Sequence, residues 1–177
     1  MNTTQIMLWG MTIMNKQQKE TKMISTKELL ENSKNLGRDH SDMEFDTVEV
    51  RYDLAQKKLW VKGMAKASKG DKLYKVEVAF YQVQPDGLTP DDLAAGKFPM
   101  PKDLMDKPVK VDCDCYDYTL GGALKGNLHN DCALHTDKLL TGYVKKTDRP
   151  ENNPENVPYG CKHIVSLIKD IINASTN

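Results

Sequence analysis

Arginine is scarce in this chain: Arg38, Arg51 and Arg149 stand alone among 25 basic residues. Base reading in a DNA groove leans on the arginine fork, so a lysine-dominated surface is a poor direct reader of sequence. An excess of one charge is lacking as well. Acidic and basic residues are equal in number, and the formal net charge is zero. Bulk electrostatics therefore announces neither a nucleic acid nor a charged membrane as partner. No long apolar run occurs. The stretch from Ile6 to Met14 is broken by Gly10 and Thr12 and is far too short to span a bilayer. The opening Met-Asn-Thr-Thr-Gln lacks the positive region of a secretory signal, and no small-residue cleavage pattern follows. Four catalytic signatures are missing too: H-E-x-x-H, G-x-x-x-x-G-K-[ST], G-x-S-x-G, and the H-x-E with P-C-x-x-C of zinc deaminases. These absences point away from secretion, membrane spanning and the commonest hydrolase and nucleotide-binding chemistries.

Cysteine is also sparse, at four residues, but its placement is informative. Cys113 and Cys115 form C-x-C, and Cys161 with His163 forms C-x-H. Three thiolates and one imidazole complete a closed tetrahedral zinc site, which is structural because no coordination position is left for water or substrate. In a reducing cytoplasm such a set means metal sooner than disulfides. Val109, Lys110 and Val111 read as the end of a strand, so residues two apart share a face. Cys161 and His163 open an apolar-periodic helix, where free N–H groups and the helix dipole favour a thiolate. The long gap between the motifs is no obstacle. Doubling a flexible loop costs about 0.6 kcal/mol, whereas structural zinc supplies on the order of 10–16 kcal/mol. A competing set stays open. Cys132 and His135 form C-x-x-H with His129 close by, and could join Cys113 and Cys115 instead. The glycine before Cys161 and the helix after it make the first set the better platform. Asp112, Asp114 and Asp117 cluster near the cysteines and suit hydrogen bonding to the ligands better than general-base work. His40, in Arg-Asp-His-Ser, reads as a solvated turn residue.

The rest of the chain predicts a small α+β domain over residues 23–177, preceded by an N-terminal arm at 1–22. The arm combines Ile6, Leu8, Trp9 and several methionines with a polar run; it suits docking on a neighbouring subunit, or a start codon at Met11 or Met14. Ser25 with Glu28 forms a capping box, and Leu29, Leu30 and Leu36 continue an apolar stripe to Gly37. From Phe45 the period changes to two. Val48, Val50 and Tyr52 alternate with charges, Leu59 to Ala67 predicts a second strand, and Leu73 to Val83 a third and longest. Short connections make these an antiparallel meander. Residues 84–107 are broken by prolines and glycines, with one helical turn at Asp91–Ala94. Residues 117–160 read as mostly loop. A final helix runs from Cys161 to about Ile172, with Ile164, Val165, Ile168, Ile171 and Ile172 as its stripe.

The order C-x-C then C-x-H resembles the SWIM-type zinc module, a small ββα unit, here over about residues 108–172. Its context is narrower: a valine-rich strand, Cys113-Asp-Cys115-Tyr-Asp-Tyr118, then Arg149, Asn153-Pro154, Pro158 and Cys161-Lys-His163 before an apolar helix. That arrangement resembles a family of tailed-bacteriophage virion structural proteins with a C-x-C…NP…CKH pattern. The resemblance implies zinc at Cys113, Cys115, Cys161 and His163, with other virion proteins and copies of the chain itself as partners. It further implies assembly into a virion in the host cytoplasm; the closed ligand set and the missing signatures argue against catalysis, and the short apolar run against a membrane. The gap between the motifs exceeds that of ordinary SWIM modules. Nucleic-acid binding is the alternative. Seven lysines and one acid lie between Lys57 and Lys75, and Lys58, Trp60, Lys62, Met64 and Lys66 share one strand face by parity.

Overall fold

In a computed structural model of the chain the described residues are 23–39, 42–67, 70–84, 91–92, 95, 101–120, 123, 127, 130–135, 153 and 157–176. The predicted arm at 1–22, His40, His129, Arg149 and Pro154 lie outside them.

Helix α1 (Thr26–Asn35) starts where the capping box places it: the Ser25 Oγ accepts the Glu28 N–H at 3.2 Å. Three strands follow as a meander, β1 (Phe45–Asp53), β2 (Lys58–Lys66) and β3 (Leu73–Phe80). The third ends earlier than its apolar run suggests and is the shortest of the three: Tyr81 still donates to the Pro108 carbonyl in register, but proline has no N–H to return the bond, and Gln82 then turns the backbone with a φ of 57°. The Asp91 carbonyl accepts the Ala95 N–H at 2.9 Å, the bond of a single helical turn, and a 3₁₀ turn (Leu104–Asp106) precedes β4 (Val109–Cys113). Helix α2 (Tyr116–Leu120) occupies the start of a stretch expected to be mostly loop. Helix α3 (Lys162–Thr176) closes the chain and runs four residues past its predicted end.

The sheet order is β1-β2-β3-β4, every neighbour antiparallel. Period-two alternation sorts its faces. Leu59, Val61, Gly63 and Ala65 of β2 share one face with Val76, Val78 and Phe80 of β3 and with Val109, Val111 and Cys113 of β4. All of these except Gly63 belong to the core, which α3 covers with Ile164, Leu167, Ile168 and Ile171. Gly63 is required by close packing. A Cβ there would meet the Phe45 ring at 2.8 Å and lies 3.4 Å from Leu167. The stripe on α3 is wider than its isoleucines imply, since His163 through Ile168 are all buried. The outer edge of β4 is capped by residues 131–135. Val111 N–H reaches the Cys132 carbonyl at 2.8 Å, and Leu134 N–H reaches the Val111 carbonyl at 3.0 Å. Lys110 Nζ and Asp131 Oδ1, 2.8 Å apart, hold that cap across the edge. Among the described residues no helix is long and apolar enough to cross a membrane.

Candidate metal centre

Cys113 is the last residue of β4, and its side chain points to the core face with Val76 opposite. Cys115 lies beyond the strand, so strand parity does not bring the pair together as the sequence suggested. A turn does: the Cys115 N–H points at Cys113 Sγ at 3.4 Å, and the Tyr118 N–H of α2 points at Cys115 Sγ at 3.4 Å. Cys161 immediately precedes α3 and accepts the Val165 N–H at its carbonyl, which is the position of a helix N-cap. His163 follows in the first turn. Strand end, turn and helix start thus converge on one point.

Ligand atoms of Cys113, Cys115, Cys161 and His163 all lie within 4.8 Å of one another. All four residues are buried, none more than 3% exposed. His163 Nδ1 is 3.9 Å from Cys113 Sγ and 3.9 Å from Cys161 Sγ. A tetrahedral zinc with bonds of about 2.3 Å to sulfur and about 2.0 Å to nitrogen sets those atoms roughly 3.6 Å apart. The observed spacing is therefore a few tenths of an ångström wider than the coordinated one, and small side-chain adjustments close it. Nδ1 is the nitrogen facing the sulfurs. Its lone pair is available only in the tautomer that carries the proton on Nε2. Tyr74 steadies the ring, with centroids 5.0 Å apart and planes tilted by 39°.

Three thiols packed this tightly do not behave alike. Hydrogen bonds from Cys113 and then Cys161 hold Cys115 below the ordinary thiol range. Burial pushes Cys161 well above it. A cation held by all three sulfurs would favour their thiolate forms together.

The segment leading into Cys161 is braced by groups far away in sequence. Asn32 Nδ2 of α1 donates to the Pro158 carbonyl at 2.9 Å, and Ser33 Oγ accepts the Gly160 N–H at 2.9 Å. The Asn127 amide grips Tyr159 on both sides: Nδ2 donates to its carbonyl at 2.9 Å and Oδ1 accepts its N–H at 3.0 Å. Gly160 leaves no room for a side chain, because a Cβ would lie 2.7 Å from Ile164. Sequence reasoning missed Asn32, Ser33 and Asn127. A buried serine in the middle of a helix is their only local sign.

Cys132 and His135 are placed elsewhere. Cys132 is buried at the β4 edge, with Sγ donating to the Asn130 carbonyl at 3.1 Å, and burial pushes its thiol up to about 11. His135 Nε2 lies 2.9 Å from Glu77 Oε2 on the sheet face opposite the sulfurs. The competing ligand set of Cys113, Cys115, Cys132 and His135 is therefore not assembled. Of the three aspartates, Asp117 meets Arg38 at 3.0 Å beside Cys115, and burial raises its carboxyl despite that guanidinium. Asp112 turns to the far face opposite Glu77. Burial works against the Glu77 carboxylate, but hydrogen bonds from Lys75 and His135 outweigh it and lower its pKa.

Comparison with known proteins gives no matching family, no matching curated protein and no matching solved structure.

Proposed function

We propose that this chain is a non-enzymatic structural or adaptor component of a bacteriophage virion, with its C-terminal half closed by one structural zinc and assembly made through protein–protein contacts. The observation that carries the structural half is the buried Cys113, Cys115, Cys161 and His163 cluster, whose ligand atoms lie within 4.8 Å of one another. Three sulfurs and one imidazole fit zinc in number and softness. A bound ion would take all four protein ligands. Burial leaves it no approach for substrate, so its contribution is folding free energy and not Lewis-acid chemistry. The virion half rests on the sequence pattern C-x-C…NP…CKH; Asn153 of that pattern clamps Val157, four residues before Cys161, through both ends of its amide, at 2.7 Å and 3.1 Å. Elemental analysis of protein purified without added metal is expected to return one zinc per chain. A chain that is folded and metal-free would overturn the reading.

One observation favours a second reading, a nucleic-acid surface. On β2 the residues Lys58, Trp60, Lys62, Met64 and Lys66 alternate with buried neighbours and share the outer sheet face. Arg51 lies over the Trp60 ring at 5.3 Å, and Lys58 over Tyr81 at 5.4 Å. Part of this charge is answered locally, since Lys66 pairs with Glu44 and Arg51 with Glu49. A single-stranded oligonucleotide titrated at rising salt distinguishes the readings: the structural reading expects no salt-dependent affinity, whereas a log–log slope of several charges would establish the second.

A further inference from the structure

The two edges of the sheet are treated differently. The β4 edge is covered by residues 131–135, whereas β1 has no ladder partner among the described residues except β2. An edge strand of that length offers a row of backbone donors and acceptors to any second strand. We infer that β1 pairs antiparallel with β1 of a second copy of this chain, about a two-fold axis at Val50.

The register comes from the strand itself. A bulge interrupts β1 between Phe45 and Thr47, and the strand ends at Asp53. The regular stretch from Thr47 to Asp53 is thus symmetric about Val50. Folded on its own copy, it sets Glu49 opposite the partner's Arg51 and Arg51 opposite the partner's Glu49. Both side chains are exposed, at 51% and 72%, and now pair with each other along the strand at 3.6 Å, so pairing across the edge would exchange one partner for another. On the other face Val48 comes to lie opposite the partner's Tyr52. Val48 is 51% exposed on the same side as Val50 and the half-buried Tyr52, so pairing extends the apolar face instead of leaving a valine in water. Moving the axis by one residue places Glu49 against Glu49, or Arg51 against Arg51, and like charges directly opposite are destabilising. Charge and apolar pattern select the same centre. A contact this narrow is a weak association, strengthened where many copies are held together.

This deepens the assembly half of the reading above, and its test leaves the zinc ligands untouched, so either can fail alone. Sedimentation equilibrium of the full-length zinc-loaded protein is expected to show a concentration-dependent dimer. Arg51→Glu and Glu49→Arg, each alone, turn two attractive cross-strand pairs into repulsive ones and should weaken dimerisation by about tenfold. An equimolar mixture of the two variants should recover it, because every opposed pair is then again of opposite sign. Circular dichroism and zinc content are checked to be unchanged in both variants. A wild-type chain that stays monomeric, single variants that dimerise as well as wild type, or a mixture that fails to recover would each overturn the inference.

Discussion

Cys161→Ser is expected to lose the bound zinc and to lower the melting temperature by about 10 °C or more, at roughly 2–4 °C per kcal/mol for a chain of this size. Structural zinc contributes on the order of 10–16 kcal/mol of apparent free energy, comparable with the whole stability of an ordinary domain at about 5–15 kcal/mol. Cys161 is the pivotal member of the cluster because it sits where α3 begins, while Cys113 ends β4. Losing it frees the helix from the strand and leaves two buried thiols and an imidazole without their cation. Cys132→Ser is the internal control. Its sulfur makes a bond to the Asn130 carbonyl that a hydroxyl can keep, and it lies outside the cluster. That variant should bind a full zinc equivalent and melt within a few degrees of wild type. Thermal melts with parallel metal analysis check both. The reverse ranking of the two variants would transfer the site to Cys132 and His135.

Asn127→Ala should follow in size, destabilising by about 2–6 kcal/mol, because two buried backbone groups lose their partner at once and each such loss costs roughly 1–3 kcal/mol. The amide bonds both the N–H and the carbonyl of Tyr159, two residues before Cys161. Its own carbonyl accepts the Cys132 and Ala133 N–H groups, so the same residue also anchors the strip along β4. Asn127→Asp keeps one of the two side-chain bonds and places a charge in a buried site, so it should be no milder. Chemical denaturation gives the free energy. Competition with a chromogenic chelator gives a second readout: weaker zinc retention in Asn127→Ala than in an equally destabilised core variant such as Val61→Ala would show that the asparagine positions the ligand segment.

Much of this fold is legible in the sequence because its signals are local. The period-two alternation of Val48, Val50 and Tyr52 and of the β2 residues reports a one-sided sheet, and Ser25 with Glu28 reports a helix start. Short connections order the first three strands. β3 is shorter than its apolar run because that run continues to Val83, whereas Pro108 cannot return the Tyr81 bond and Gln82 turns the backbone out of the extended region. The helix at Tyr116–Leu120 was hidden by the glycines that follow it. In the site, residue type and spacing nominate the four ligands. How Cys115 arrives does not follow from spacing, because the turn that carries it is fixed by N–H···S contacts.

By itself, then, the sequence determined the α+β class, the strand faces and a set of soft donors suited to one ion, since each depends on residues within a few positions of each other or on side-chain chemistry alone. Tertiary structure alone brought one of the two candidate sets together and parted the other. It sent Cys132 to a sheet edge, turned His135 toward Glu77, and built the brace of Asn32, Ser33 and Asn127 around the approach to Cys161. The reason is physical: buried backbone groups must find partners wherever the packed chain supplies them, and separation along the sequence carries no record of which side chain that will be.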